Sequence, residues 1–340
     1  MWTVSVGVRF VVLFFIFLGA FSARAGNSDS SVNFQEQAMF KQMRVAAQKH
    51  NYSGTFVYQQ ANQMRTSRIT HLVEGENEFE KLEILDGNLR EYIRHNEVVT
   101  SYIPEEKMLL VEKRVTQDVF PAIFSANVED VVPYYHFKKS ADGRVAGFYC
   151  KSILLEPKDD LRYAYRLCVE KSTGLLLRAQ TLNKEKAVIE QIFFTQIEIG
   201  KIDRSRIKSG FANVSDWRLE SAAMKLASIP DWEVKWVPPG FKKIREMKRL
   251  VSGISASTVD HAKKTAVAQR EIKQIVFSDG LAAISVFIEP STQSRTEGVH
   301  QQGAMSILGK RQGDFWLTIV GEVPAKSVMQ LANSIEFNPK

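Results

Sequence analysis

The sequence predicts an α+β protein, with a large antiparallel half-barrel and packed helices followed by a small antiparallel sheet domain with one helix. Three observations lead to this fold class. Between Ser53 and Ile103, apolar and polar residues alternate in short runs that end at Gly, Asn or Asp, which is typical of half-buried antiparallel strands. Similar runs continue to Ile199, and a sheet of that size usually curls. From Gly200 to Pro230 the sequence pattern changes, which indicates a domain junction.

The first 25 residues are typical of a secretory signal peptide. Arg9 precedes the apolar run Phe10–Phe21, and small residues follow up to Ala25, after which we expect Sec-type cleavage. The run is short for a bilayer span, although an uncleaved anchor is the alternative. Cleavage removes Arg9 and Arg24 and no acidic residue, so the formal charge falls from +7 by two, to +5.

This modest positive charge suits anionic lipid headgroups or an acidic peptide, and equally an ordinary solvated surface. The basic residues are interspersed with acidic ones instead of forming runs, which argues against a nucleic-acid partner. The length that remains is enough for two domains with separate cores.

The sequence has no recognisable catalytic or metal-binding motif. None of its six histidines lies at a spacing that would place two on one face with a carboxylate. It also lacks a Gly-x-Ser-x-Gly elbow, a phosphate-binding glycine loop and a dinucleotide fingerprint. We therefore expect no metal, no cofactor and no enzymatic activity, although a fold could assemble a Ser–His–Asp set from scattered residues.

The two cysteines, Cys150 and Cys168, predict a disulfide in an exported chain, with two free thiols as the alternative. The turn signal Pro157–Asp160 lies midway between them, so a hairpin would place Cys150 directly opposite Cys168. The same register would pair Glu156 with Arg162 on the cysteine face. Because no Cys-x-x-Cys spacing is present, the bond is expected to be structural.

The mature chain begins with a polar stretch, 26–33, that we expect to be frayed. Apolar residues at helical spacing then predict an amphipathic helix over Phe34–His50 that packs on the sheet. The segment Thr116–Phe137 has two prolines and no alternation, so we expect helical turns and loop that cover the concave side or pack as an ordinary connection. Further strands are predicted at Met108–Val111, Gly147–Leu155, Arg162–Glu170, Leu175–Leu182 and Ala187–Ile199.

Between the domains, a helix is expected at Trp217–Ala227 with a cap at Asn213–Asp216. The second domain is predicted to begin with a strand that carries Trp232, Val234 and Trp236 on one face. The other elements expected there are a mobile loop at Val251–Lys264, a hairpin of Ile272–Phe277 and Leu281–Ile288, strands at Gly303–Gly309 and Phe315–Val320, and a helix from Pro324 to Ile335.

A half-barrel of this size has a concave apolar side that can hold a small ligand between sheet and helix. Aromatic and aliphatic residues of the strands and of the apolar connection are the candidates for its walls. The predicted cavity residues are Phe56, Tyr58, Phe120, Ile123, Phe124, Tyr134, Tyr163 and Tyr165.

Four stretches resemble one known family in their order and spacing. They are Tyr52–Tyr58 (YSGTFVY) after the first helix, Trp232–Phe241 (WEVKWVPPGF) at the junction, Phe277–Leu281 (FSDGL), and Val320–Pro324 (VGEVP) before the last helix. Together they are similar to the RseB/MucB family of periplasmic regulators of the extracytoplasmic sigma factor sigma-E. The resemblance covers almost the whole mature chain.

After the signal peptide (1–25), the expected division is an N-terminal half-barrel (26–212), a linker (213–230) and a small C-terminal domain (231–340), and the resemblance implies that the first of these domains is LolA/LolB-like. It implies a periplasmic negative regulator whose C-terminal domain binds the periplasmic part of a transmembrane anti-sigma factor and shields it from regulated proteolysis. Lipid or lipopolysaccharide-like ligands in the N-terminal cavity would promote release.

A different class of function is the alternative, namely a periplasmic lipid or lipoprotein carrier of the LolA/LolB type in which the cavity itself is the function. No motif assigns partner-contacting residues within the C-terminal domain. The sequence also leaves open whether two copies associate as a homodimer.

Overall fold

A computed structural model describes residues 28–113, 127–211, 213–221, 225–252, 269–291 and 295–338. The predicted signal peptide, the cavity candidates Phe120, Ile123 and Phe124, and most of the predicted loop 251–264 lie outside these residues. Within the described ranges, no helix has both the length and the apolar character needed to cross a membrane.

The first part of the chain forms one long helix and a series of strands. Helix α1 (Ser28–Lys49) starts earlier than predicted and packs on the sheet through Phe40, Met43, Ala46 and Ala47, which are at most 3% exposed. The strands after it are β1 (Tyr52–Gln60), β2 (Gln63–Glu74), β3 (Asn77–Ile84), β4 (Arg90–His95), β5 (Val98–Ile103) and β6 (Met108–Lys113). Beyond residue 126 come α2 (Val128–Val131), β7 (Tyr135–Val145), β8 (Phe148–Pro157), β9 (Ala164–Glu170), β10 (Leu176–Leu182), β11 (Val188–Ile199) and β12 (Arg218–Ser221).

These strands form a twelve-stranded sheet in the order β12-β6-β5-β4-β3-β2-β1-β11-β10-β9-β8-β7. Every neighbouring pair is antiparallel except β12 with β6. In the described part of the chain, the two outer strands do not pair with each other, so the barrel stays open. The predicted large, unclosed antiparallel sheet is confirmed.

The second part of the chain forms a smaller sheet covered by one helix, as predicted. Its elements are β13 (Lys225–Leu226), β14 (Trp232–Val234), β15 (Lys242–Ser252), β16 (Gln269–Ser278), β17 (Ala283–Pro290), β18 (Gly298–Gln302), β19 (Met305–Gln312), β20 (Phe315–Gly321), α3 (Ala325–Asn333) and β21 (Ile335–Phe337). Seven of them form a sheet in the order β13-β15-β16-β17-β20-β19-β18, and β14 pairs separately with β21. Val328 and Leu331 of α3 pack with Ile284 and Leu317 in a core of their own.

The helix predicted at Trp217–Ala227 is wrong, because part of this segment is extended. Arg218–Ser221 pairs in parallel with Met108–Val111 at one edge of the large sheet. Lys225–Leu226 pairs with Met247–Lys248 at one edge of the second sheet. Backbone hydrogen bonding to two existing sheet edges outweighs a weak local helical pattern.

Strands β7, β15 and β18 were not predicted, because their sequences lack regular apolar alternation. β7 carries a bulge between Ser140 and Gly143, which breaks the period of two. β18 is an edge strand on which four of five residues are exposed, so it has no buried face to detect.

The disulfide between Cys150 and Cys168 is confirmed, with Cα atoms 5.4 Å apart. Its predicted register is wrong by two residues, since Cys150 lies opposite Glu170 and Ser152 lies opposite Cys168. The bond therefore joins the two strands diagonally.

The predicted ion pair between Glu156 and Arg162 is also wrong. β8 ends at Pro157 and β9 begins only at Ala164, so Arg162 lies in the connection and not on a strand. Glu156 instead contacts Lys138 of β7. This displacement leaves Arg162 free to reach the second domain.

Candidate functional site

The interior of the half-barrel is apolar and densely packed. One cluster of buried residues lies between α1 and strands β7 to β10, and it contains Phe40, Met43, Ile153, Leu155 and Leu167. Each of these side chains is at most 1% exposed. Removing so much apolar surface from water is the main force that holds α1 on the sheet. We call this group the α1 cluster.

An apolar cleft lies among β1, β2, β10 and β11, and most of its lining belongs to a second buried cluster, separate from the α1 cluster. Its lining includes Phe56 and Ile69 from β1 and β2, and Leu176, Ala179 and Ile192 from β10 and β11. The volume of the cleft is about 20 Å³. The cleft is therefore nearly filled by its own side chains, and an acyl chain could enter only if one of its walls moved.

Of the cavity residues predicted from the sequence, Phe56 is the one that lines this cleft in the described structure. Its ring lies edge-on to that of Phe194, with 6.0 Å between the centroids. Tyr165 is buried in the α1 cluster, and its ring centroid is 6.2 Å from that of Tyr135. Tyr134 lies against Gly240, Tyr163 accepts a hydrogen bond from Gln301, and Tyr58 hydrogen-bonds to Glu190 near Glu322. These three tyrosines therefore lie at the interface between the two domains and not in the cleft.

The domain interface contains a buried ion pair. Nη1 of Arg162 donates to Oδ2 of Asp279 at 2.8 Å, and the two side chains are 0% and 2% exposed. Arg162 also donates to the carboxylate of Asp159 and to the carbonyl oxygen of Pro239. Its guanidinium carbon lies 4.8 Å from the ring centroid of Tyr134. Burial raises the pKa of Asp279, although the Ala282 amide and Arg162 act in the opposite direction.

Asp279 also fixes the turn between β16 and β17, Ser278–Ala282. Its Oδ1 accepts hydrogen bonds from the amides of Leu281 and Ala282 at 3.0 and 2.9 Å. Gly280 supplies the positive φ of 94° that this turn requires. The turn thus presents Leu281 to the N-terminal domain, where its side chain is 4% exposed and belongs to the α1 cluster.

A second contact between the domains involves the turn between β18 and β19. Nε2 of Gln60, at the end of β1, donates to the carbonyl oxygen of Gln302 at 3.1 Å and to Glu190 at 3.3 Å. Nε2 of Gln301 donates to the hydroxyl of Tyr163 at 2.8 Å. The bonds to Gln302 and Tyr163 join the end of β1 and the β8–β9 connection to the second sheet.

Two carboxylates from different domains interact at this second contact. Burial raises the pKa of Glu190, while hydrogen bonds from Tyr58, Gln60 and the amide of Ala304 lower it. Burial, and then the charge of Glu190, raise the pKa of Glu322 to about 7. The free energy of the contact therefore depends on pH near neutrality.

Sequence reasoning did not identify Arg162, Asp279, Leu281, Glu190 or Glu322 as interface residues. Asp279 and Gly280 carry a local signal, since Ser-Asp-Gly marks a hairpin turn. That signal does not show what the turn contacts. Among the described residues, no group of three or more His, Cys, Asp or Glu side chains could hold a metal ion.

Comparison with known families assigns both parts of the chain. Residues 35–218 match the MucB/RseB N-terminal domain, and residues 227–336 match the MucB/RseB C-terminal domain. The first match coincides with α1 and the large sheet, and the second with the smaller sheet and α3.

Known proteins with similar sequences align over most of their length. The sigma-E factor regulatory protein RseB of Haemophilus influenzae is 26% identical over 315 residues, which cover 91% of this chain and 94% of the relative. The sigma factor AlgU regulatory protein MucB of Pseudomonas aeruginosa is 26% identical over 297 residues, which cover 85% of this chain and 87% of the relative.

A crystal structure of MucB in complex with MucA(peri) has a similar fold. The TM-score is 0.67 at 23% identity, and the match covers 90% of this chain and 100% of that chain. At this identity, the match shows that the two chains share a fold.

Proposed function

This chain belongs to the MucB/RseB family, and from that membership we propose that it acts in the periplasm as a negative regulator of a sigma-E-type envelope stress response. The observation that carries the proposal is the match to both family domains, in order, over most of the chain. The N-terminal signal predicted to end at Ala25 supports export to the periplasm.

The proposed partner is the periplasmic part of a transmembrane anti-sigma factor. The crystal structure of MucB with MucA(peri), whose fold this chain shares, supports such a partner. We place the main contact in the second domain, 231–340, after the 213–230 linker. Binding of the anti-sigma factor to this domain would shield it from proteolysis and keep the sigma factor inactive.

The second part of the proposal is a lipid or lipopolysaccharide-like ligand in the N-terminal domain, 26–212. The apolar cleft beside Phe56 is the surface with the right chemistry, because its lining is almost wholly apolar. A ligand can weaken partner binding only if it binds better to the arrangement that the partner does not favour. The domain interface is where two such arrangements would differ.

A lipid or lipoprotein carrier of the LolA/LolB type is the competing function. A carrier needs a cavity that accepts its cargo readily, whereas the cleft has a volume of only about 20 Å³. In addition, the second domain contributes Leu281 to the interior of the first. This coupling of the two domains favours a regulator over a carrier.

The test uses the chain from residue 26 onwards and the periplasmic domain of the anti-sigma factor from the same organism. We expect a stable complex by calorimetry and slower cleavage of the anti-sigma domain by a periplasmic protease when the chain is present. A folded chain that neither binds the domain nor slows its cleavage would contradict the regulator.

A parallel experiment separates the ligand from the carrier function. Mass spectrometry of organic extracts of the purified chain shows whether acyl lipids are bound. A carrier would transfer lipid or lipoprotein between membranes regardless of the anti-sigma domain. A regulator would instead lose affinity for that domain when lipopolysaccharide fragments are added.

A further inference from the structure

Leu281 packs in a domain to which its own sheet does not belong. Phe277 and Ala282, which lie on either side of it in the sequence, belong to the core of the second domain. Leu281 is absent from that core and instead belongs to the α1 cluster, with Phe40 and Tyr165. Truncating Leu281 therefore leaves the core of its own domain intact.

The cluster that holds Leu281 shares two residues with the lining of the apolar cleft. Leu176 belongs to the α1 cluster and also lines the cleft, and Ala179 packs against the same cluster and lines the cleft too. An apolar ligand that replaced the Leu281 side chain would therefore lie against residues that also line the cleft. The cleft itself has almost no free volume, about 20 Å³.

The turn that carries Leu281 has its own attachment to the N-terminal domain. Asp279 holds the turn by its hydrogen bonds to the Leu281 and Ala282 amides, and it pairs with Arg162 across the interface. Nearby, Oγ of Ser327 donates to the carbonyl oxygen of Leu161 at 2.7 Å. The polar contacts fix where Leu281 enters, and the side chain itself fills the apolar site.

We propose that Leu281 occupies the entrance of an acyl-chain site in the N-terminal domain, and that a bound acyl chain and Leu281 exclude each other. This inference rests on the proposed lipid ligand and assigns its binding position. Because the side chain belongs to the second domain, an acyl chain that takes its place must displace the β16–β17 turn. Occupation of the first domain is thereby converted into movement of the second, without a separate relay.

Competition of this kind lowers the apparent affinity for the acyl chain, because only the fraction of molecules with Leu281 displaced can bind. Shortening the side chain should raise that fraction. Leu281→Ala is expected to bind a fluorescent palmitate analogue about tenfold more tightly than the wild type, since burial of a leucine no longer competes. Asp279→Asn, which weakens the attachment and keeps Leu281, should raise affinity by a smaller factor.

Two control variants test whether any loosening of the second domain has the same effect. Val328→Ala creates a cavity in the second domain's own core, where Val328 is 0% exposed, and should leave affinity for the analogue unchanged. Met329→Ala alters an exposed residue of the same helix and should also have no effect. Circular dichroism confirms that each variant is folded.

Hydrogen exchange on the wild-type chain gives a readout that needs no variant. Saturation with the palmitate analogue should speed amide exchange in Ser278–Ala282, because the turn leaves its site. Unchanged exchange there, with the analogue bound, would overturn the proposal.

The outcomes separate this inference from the proposed function. If the wild type binds the analogue and Leu281→Ala binds it no more tightly, Leu281 does not compete, and the lipid ligand stands without it. If neither folded protein binds it, both the inference and the lipid part of the proposed function fail. Neither result bears on the proposed regulator function, which is tested separately by binding of the anti-sigma domain.

Discussion

Arg162 and Asp279 form an ion pair between the two domains at 2.8 Å, and both side chains are almost completely buried. Arg162 lies in the connection between β8 and β9, and Asp279 lies in the turn between β16 and β17. Removing either partner of a buried ion pair is strongly destabilising, because the remaining charge is then buried without an opposite charge beside it. The pair therefore fixes the position of the β16–β17 turn on the N-terminal domain.

We expect Asp279→Ala to lower the free energy of unfolding by about 3–5 kcal/mol, because it leaves the Arg162 charge buried beside Asp159 alone. Chemical denaturation measures this change. Lys326→Ala is the matched control, since Lys326 also pairs across the interface, with Asp160, but the two side chains are 48% and 44% exposed. Its cost should stay below about 1 kcal/mol. Equal costs for the two variants would mean that burial of the Arg162 pair contributes nothing.

The pKa of Glu322 predicts a pH-dependent stability. Burial raises it from 4.5 to about 7 in the folded chain. Between these values the folded state binds more protons than the unfolded state, so stability falls as pH rises and is lowest above the folded pKa. Glu322→Gln should therefore be more stable than the wild type near pH 8, by at most about 3 kcal/mol, and similar to it near pH 4.

The measurement for Glu322 is the difference between the two proteins' unfolding free energies across this pH range. Taking the difference cancels the titration of carboxylates elsewhere in the chain. Replacement of the exposed Glu185 by Gln serves as the control and should leave the curve unchanged. A constant difference at all pH values would show that Glu322 does not titrate in this window.

Alternation of apolar residues was sufficient to predict the strands that have one buried face. Phe56, Ile69 and Ile284 are all at most 3% exposed and lie where the pattern predicts. β12 could not be found in this way, because Leu219 is 69% exposed and the strand exists only through its pairing with β6. Alternation of apolar residues indicates which side chains are buried. It does not indicate which sheet edge is free to pair with a strand.

The candidate site was harder to predict than the fold, because it depends on contacts between residues distant in sequence. The aromatic character of Tyr134 and Tyr163 predicts that they line a cavity. The structure places Tyr163 against Gln301 and Tyr134 against Arg162, both at the domain interface. The residues next to either tyrosine in the sequence do not indicate that the second domain packs there.

The disulfide offers a test of stability that is independent of the interface. Cys150 and Cys168 are separated by 18 residues, and both are at most 3% exposed. Replacing both with Ala should lower the free energy of unfolding by about 3 kcal/mol, chiefly by giving the unfolded chain more freedom. Denaturation of the wild type with a reductant should reproduce this loss. Reductant added to the variant is the control and should change nothing.

Gly54 lies within the Tyr52–Tyr58 stretch that first indicated the family, and its lack of a side chain has a structural reason. A Cβ at this position would lie 2.6 Å from the carbonyl oxygen of Gln196 and 2.7 Å from the ring of Phe194. The carbonyl cannot turn away, because β1 and β11 are paired on both sides of it. Phe194 also lines the apolar cleft, so any shift would move a cleft wall.

Gly54→Ala should therefore lower the free energy of unfolding by about 2 kcal/mol or more through overpacking. It should also change affinity for a palmitate analogue, since β11 must move away from β1. Gly75→Ala is the matched control: it has a positive φ of 63° but nothing within 4 Å of the added Cβ. Its cost should be limited to the backbone strain of about 1 kcal/mol, with no effect on the cleft. Equal losses in the two variants would mean that β11 yields to the new methyl group, and that the spacing of β1 and β11 does not set the width of the cleft.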